Sequence, residues 1–539
     1  MNKSLQSRNS ERHESYLQRL IQNHALAAAS LAGMTLLLGM AVSLARWPTP
    51  TVHDEFAYLL AADTFSEGRL ANPPHPMWRH FETFHVIQHP TYAAKYPPGQ
   101  GLLLAAGQLL TGWPLAGVWF SSALAVVCCY WMLLGWTSRV WAFVGGLICT
   151  THTGLQLIWG QSYWGGALAM AGGALVIGGA MRMTHRRKAL DAVAMATGAA
   201  LLAVTRPFEG FVLCLVVGAW VLDNWLKQKG ISWKQTLRRS VLPVTVGLAG
   251  LVVGLASYNF AVTGSVTTMP YSLHESVYGR APLFLWQTPA DERQYQHQEL
   301  AVFHDFWSMD WFAKQQSIAG LFKKKMIMLG HVVKLYFPVV LAVPLLLLKP
   351  WRLGRVRGLV AVLLIAWLAT QVTVWNFPHY VAPLAPLFVL LMVWGLRRLD
   401  IFAPRWLPRH ALSASLIALH VFTFANVTNN YASMGQEGWQ WERNRIAKQL
   451  SADDQRHLVI VKYEPGHHVY HEWVYNRADI DSSKIVWARS MSPKQNAELV
   501  DYFRGRKAWY LKADRKEPEL QPYSQEIITL AVELARRAE

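Results

Sequence analysis

Apolar stretches long enough to cross a bilayer recur along this chain, near residues 25–45, 114–137, 139–158, 163–181, 189–205, 208–223, 240–260, 331–348, 357–375, 379–396 and 410–426. A helix rises about 1.5 Å per residue, so roughly 20 apolar residues match a hydrocarbon core about 30 Å thick. The pattern predicts a polytopic α-helical membrane protein with about eleven transmembrane helices. The spans at 189–205 and 208–223 are short and are parted only by Arg206-Pro207. Three polar portions are long: 46–113, 261–330, and everything after about 427. In the first, Glu55–Glu67 reads as a helix ending at Gly68, and Pro97-Pro98 opens a second helix through about Leu110. Both are expected to lie along the membrane surface. In the last, Leu458–Lys462, Lys484–Ala488 and Ala508–Lys512 read as strands, while Gly438–Leu450 and Pro493–Arg504 read as helices. This predicts a small C-terminal α/β domain outside the membrane.

Composition agrees with the pattern. The 539 residues are 52% hydrophobic and only 16% charged, with 25 Trp. The formal charge of +18 would suit a nucleic-acid binder, but the basic residues fall in short stretches between spans. The positive-inside rule accounts for them without nucleic acid. With the N-terminus inside, the cytoplasmic loops hold Arg139, then Arg182 with Arg186, Arg187 and Lys188, then Lys227–Arg239, Lys349–Arg357 and Arg397–Arg409. Residues 25–45 read as a retained span, because the apolar run is too long for a signal peptide and lacks a small-residue cleavage site. The expected division is a cytoplasmic segment 1–24, a membrane domain 25–426 carrying the two outer loops, and an extracytoplasmic domain 427–539. The expected setting is a bacterial-type inner membrane, with the C-terminal domain periplasmic or extracellular. All four cysteines lie in apolar segments, so neither a disulfide framework nor a zinc spacing is read.

Candidate chemistry concentrates in the first loop, at Asp54-Glu55-x-x-Tyr58 and Lys95-Tyr96-Pro97-Pro98-Gly99, with Gly68, Pro73 and Pro74 between them. A carboxylate placed beside lipid is costly and usually has a task. A positioned carboxylate can act as general base toward a weak hydroxyl nucleophile; Asp54 could alternatively cap the helix that starts at Glu55. A lysine at a helix entrance suits a phosphate, or can snorkel to lipid headgroups. This order of residues resembles the first outer loop of the GT-C superfamily of membrane glycosyltransferases. The likeness is closest to the branch of aminoarabinose transferases of lipid A, protein O-mannosyltransferases and Rgt-type core transferases. The resemblance implies inverting transfer of a sugar from a polyprenyl-phosphate donor to an envelope acceptor at the outer face, with Asp54 serving the acceptor beside Glu55. It points Lys95 toward the donor phosphate, which needs positive charge but not necessarily a divalent metal; no cofactor is assigned.

Other residues are weaker candidates. Arg206, at the outer end of a span, is a second candidate for the lipid phosphate, although an ion pair with Glu209 is an equal reading. Tyr58, Tyr96, His379, Tyr380 and Lys323 are candidate substrate contacts. The Lys323–Lys325 run before the span at 331 also reads as a solvated anchor. Histidines 53, 75, 80, 85 and 89 in the first loop, and 467, 468 and 471 in the tail, lack a metal-ligand spacing. The WWDYG signature of metal-dependent oligosaccharyltransferases is absent, so no metal site is assigned. A transporter or a flippase for lipid-linked glycans is the rival class. Paired repeats and midplane charges would mark a transporter, whereas here the polar residues sit in loops and at span ends.

Overall fold

A computed structural model describes residues 18–523, apart from 187, 231, 349–353 and 405. Residues 1–17, Arg187, Lys349, Arg405 and 524–539, which carry parts of the expected terminal segments and basic loops, lie outside the described residues.

Among the described residues, seven helices are long and apolar enough to cross a membrane: His24–Ala45, Pro114–Leu133, Ala167–His185, Pro207–Lys227, Trp233–Thr263, Pro378–Phe402 and Ala411–Ser433. The count is eight if the bent pair Ile318–Tyr336 and Val339–Leu347 forms one span. Three shorter apolar helices, Arg139–Thr150, Ala189–Ala203 and Gly358–Thr370, coincide with three of the expected segments but fall short of this length. The chain is thus a polytopic helical membrane protein, and the expected count of eleven is met only if every short and bent segment crosses.

Two departures have local causes. The segment expected at 331–348 begins much earlier, at Ile318, and bends by 101° between Tyr336 and Val339. Pro338 sits in that break; it donates no backbone N–H and restricts the residue before it. Lys323–Lys325 therefore lie within a helix and not ahead of one. In the segment expected at 139–158, the helix stops at Thr150 and a π-helical turn, Gly154–Trp159, follows.

The polar portions fold as the pattern anticipates. In the first loop, α1 (His53–Ser66) and α2 (Pro98–Thr111) flank a two-stranded ribbon, β1 (Val86–Ile87) and β2 (Ala93–Ala94). The C-terminal domain is a four-stranded sheet of β3 (His457–Lys462), β4 (Ile485–Arg489), β5 (Lys507–Lys512) and β6 (Leu520–Pro522), in the order β4-β3-β5-β6. The first three strands are parallel and β6 is antiparallel to β5. Helices Trp439–Ser451 and Pro493–Tyr502 accompany the sheet.

The sheet shares a core with the first loop. Phe56 and Leu60 of α1, with Phe81 and Val86, pack against Leu458, Ile460, Tyr475 and Val486. Phe56 lies flat on Tyr475, ring centroids 4.3 Å apart. Polar groups seal the same junction. Buried His53 bonds through Nε2 to the Val469 carbonyl at 2.7 Å, and His80 to the Arg489 carbonyl at 2.9 Å. Asp63 accepts a fork of bonds from Arg477. Arg489, 1% exposed, pairs with Glu472 and with Glu299 of the second long loop, and its Nε donates to the Glu82 carbonyl at 2.7 Å. The three portions expected on one side of the membrane thus meet at one end of the helices, joined by buried charge.

Removing one partner of a buried ion pair strands the other charge, at a cost of about 3–5 kcal/mol. Arg489→Met is expected to loosen the C-terminal domain, seen as a lower thermal midpoint in detergent and faster proteolysis of residues 434–523. Acid should act on the same junction. Burial lowers the imidazole of His53 to about 3 and that of His297 to about 3, and also lowers those of His75 and His80. Unfolded histidine titrates near 6.5, so below that pH the unfolded chain binds more protons and stability falls until the folded values are passed. His53 alone should cost on the order of 2 kcal/mol between pH 7 and pH 5. A melting midpoint flat over that range would refute this, and His53→Phe should shallow the slope.

Candidate active site

A cavity of about 350 Å³ opens where the first loop, the second long loop and the tail converge. Asp54, Lys95 and Tyr96 of the first loop line it, together with Glu275, His304, His379, Tyr380 and Tyr470. Aromatic rings of Trp164, Phe303, Trp307, Trp375 and Phe377 form much of the remaining wall. Of the expected site residues, the fold brings Asp54, Lys95, Tyr96, His379 and Tyr380 to this one surface from separate stretches of chain.

The three residues that open α1 point in different directions. Successive helical residues are about 100° apart, so neighbours in sequence cannot share a face. His53 turns to the C-terminal domain, as described. Glu55 is buried and accepts from Thr51 N at 2.6 Å, Thr51 Oγ1 at 3.0 Å, Val52 N at 3.3 Å and Tyr163 N at 3.0 Å. Burial raises its carboxyl above the ordinary range, against the pull of those bonds. Glu55 occupies the third helical position and reaches back to the N-cap Val52 N–H, so capping, the alternative reading of Asp54, falls to Glu55. Asp54 is left half-buried, facing the cavity, with Oδ1 accepting the Tyr96 hydroxyl at 2.6 Å. Burial, and then the Asp54 charge, push the Tyr96 phenol well above its usual range, so Tyr96 remains a donor. Tyr58, one turn along α1, stacks on Tyr96 with centroids 4.7 Å apart and holds that ring in place.

The Lys95–Gly99 turn is pinned by backbone contact. Gly99 N donates to the Val204 carbonyl at 2.8 Å, and a Cβ at Gly99 would stand 2.7 Å from that oxygen. Any side chain there would push the turn away, so glycine is required by proximity. This contact ties the lysine turn to the Thr205-Arg206-Pro207 turn that opens α3 (Pro207–Lys227). Arg206 lies with its guanidinium carbon 4.5 Å from the Tyr380 ring centroid and within electrostatic reach of Asp54 and Glu209.

Lys95 is 5% exposed, and its ammonium donates to Glu275 Oε1 at 3.0 Å. It also sits 4.9 Å from the Tyr271 ring centroid and 5.7 Å from that of Tyr96. Glu275 belongs to α4 (Pro270–Val277) in the second long loop. Burial raises its carboxyl, but Lys95 and then His274 outweigh this and hold it well below the usual range. Burial, reinforced by Lys95, lowers His274 to about 4 and takes His85 well below its usual value. The imidazoles around this ion pair are therefore neutral at pH 7.

His379 stacks parallel to Phe377 and tilts against Trp164, with centroids 5.9 and 4.7 Å away. Lys323 is exposed and does not line the cavity. Its neighbours are engaged, Lys324 over the Trp311 ring and Lys325 with the Thr373 carbonyl. Among the described residues, no group of three or more His, Cys, Asp or Glu side chains is arranged to hold a metal ion. Glu275, His304 and Tyr470 went unread as site residues, because nothing near them in sequence distinguishes them from ordinary loop residues.

No protein-family model matches the sequence, and a search of curated proteins returned no match. Among solved structures, the chain is similar to the oligosaccharyltransferase of the archaeon Archaeoglobus fulgidus in its apo form. The match has 13% identity over 91% of this chain and 69% of that one, with a TM-score of 0.40. The same enzyme in complex with an inhibitory peptide and a dolichol-phosphate matches at 11% identity over 90% and 69%, with a TM-score of 0.38. Likeness of this extent assigns neither a substrate nor a residue to this chain.

Proposed function

We propose that the chain is an inverting glycosyltransferase that moves a sugar from a polyprenyl-phosphate donor to an envelope acceptor, with the cavity on the extracytoplasmic side. The observation that carries this reading is the placement of one half-buried carboxylate, Asp54, and one buried ammonium, Lys95, in the wall of a single aromatic-lined cavity. The chemistry needs those two functions. An acceptor hydroxyl is a weak nucleophile and loses its proton as it attacks the anomeric carbon; the phosphate leaves with the electron pair of the broken C–O bond. Asp54 Oδ takes the proton, and Tyr96 positions the carboxylate. Lys95 meets the charge developing on phosphate, with Arg206, which lies over the Tyr380 ring, as the second cation. Aromatic rings supply flat apolar faces of the kind on which a sugar ring packs.

Glu55 enters this scheme as a positioning residue, since its oxygens are already occupied by the backbone donors at the helix start. His379 and Tyr380 line the cavity and are read as substrate contacts, while Tyr58 stacks on Tyr96 and supports it. Lys323 lies apart and is assigned to the lipid surface. The division of the chain follows the same reading: residues 1–24 cytoplasmic, 25–426 membrane-embedded and catalytic, and 427–539 extracytoplasmic in a bacterial-type inner membrane. A transporter would place its charges along a path between the helices, whereas this cavity gathers them at one end among the polar loops.

Asp54→Asn keeps the shape and the Tyr96 bond while removing the base. Transfer from a labelled polyprenyl-phosphate sugar by reconstituted protein should fall by about a hundredfold to ten-thousandfold, with donor affinity little changed. Near-normal turnover by this variant would remove Asp54 from the role of base. Lys95→Met should instead weaken binding of the lipid phosphate as well as turnover, read as a higher donor KM together with a lower kcat.

A further inference from the structure

The Lys95–Glu275 pair does more than the proposed reaction asks of a phosphate-binding lysine. Both bonds that Glu275 accepts, from Lys95 at 3.0 Å and from His274 at 3.3 Å, fall on Oε1. Both partners line the cavity, and the carboxylate is the more open of the two, its side chain 28% exposed against 6% for that of Lys95. Its second oxygen is crowded from behind. A Cβ on Gly279 would stand 2.3 Å from Oε2, so only glycine at this turn leaves that oxygen room. An anion is thus built into the wall at the one buried ammonium that faces the cavity.

Resting on the reading above, the substrate changes charge during the reaction. The donor is a phosphodiester carrying one negative charge. When the acceptor oxygen bonds to the anomeric carbon, the bond from that carbon to the phosphate oxygen breaks, and its electron pair stays with the phosphate. The acceptor proton passes to Asp54. The product is a phosphomonoester whose second ionisation lies near pH 6, so at pH 7 it is mostly a dianion. Like charges brought together in a poorly solvated site repel strongly. A fixed carboxylate on the phosphate-binding lysine therefore penalises the product more than the donor.

We propose that Glu275 is a built-in counter-anion that holds Lys95 in place before a donor arrives, and then disfavours retention of the phosphomonoester product. The site is thereby set for a lipid phosphodiester over a lipid phosphomonoester, and Glu275 is a specificity and release residue, not a base.

The test measures equilibrium binding of two probes to the full-length protein in detergent: farnesyl phosphate, a monoester, and its methyl ester, a diester. Wild type is expected to bind the diester at least as tightly as the monoester. Glu275→Gln should tighten the monoester by roughly tenfold or more while changing the diester much less. Glu275→Ala should move the ratio of affinities the same way, and Glu275→Asp, which keeps the charge, should leave the ratio near wild type. Because each ratio is read on one preparation, partial loss of folded protein does not imitate the effect. A ratio unchanged in Glu275→Gln and Glu275→Ala, or weaker binding of both probes by these variants, would overturn the proposal and leave Glu275 as a support for Lys95. So would a wild type that prefers the monoester. A wild type that binds neither probe would overturn the lipid-phosphate reading itself.

Discussion

Everything at the cavity depends on how the start of α1 is satisfied. A helix begins with unpaired N–H groups, and a helix start buried among loops must find acceptors for them or pay their desolvation. Here Glu55 bonds the approach to the helix through Thr51 and Val52, and joins it to another part of the chain through Tyr163 N. His53 is tied off against the tail at Val469. With both neighbours committed, the remaining acid, Asp54, is free to face a cavity. A functional carboxylate is thus produced by spending the polar groups on either side of it.

The second constraint is charge balance. Burying an ammonium is costly unless a counter-charge or hydrogen-bond acceptor offsets its lost hydration. Lys95 finds that partner on a different loop, in Glu275, which couples the position of α4 to the first-loop turn. The Gly99 contact to Val204 then fixes the same turn against the entrance of α3, where Arg206 sits. Two cations separated by more than a hundred residues are brought toward one region by a backbone hydrogen bond that only glycine permits. The tail is part of the same construction. It shares a hydrophobic core with α1, closes over His53 and contributes Tyr470 to the cavity wall. An α/β domain that looks like an appendage in the composition is therefore one wall of the site.

Much of this protein was legible in the order of its residues. Apolar run length alone marks the helices, because the span of a helix in hydrocarbon depends only on rise per residue and apolarity. Three of the tail's four strands fell within a residue of where β-rich runs placed them, while β6 went unread, and α1 and α2 began within a few residues of their Pro and acidic signals. The Asp54 and Lys95 motifs stood out because charge beside lipid is rare. What sequence could not resolve was length at the margins: where the helix bends, at Pro338, and where another stops, at Thr150 before a π-helical turn.

Sequence by itself determined that the chain crosses a membrane many times, where its polar loops fall, and which loop carries an acid and a lysine suited to chemistry. Tertiary structure alone decided which of two adjacent carboxylates faces the cavity. That choice rests on a rotation of about 100° between neighbours and on the donors waiting at Thr51, Val52 and Tyr163. It also decided that the acid and the lysine share a wall, and that Glu275, His304 and Tyr470 complete it. Those three come from loops with no local pattern, since contacts between distant segments leave no periodicity in a single chain.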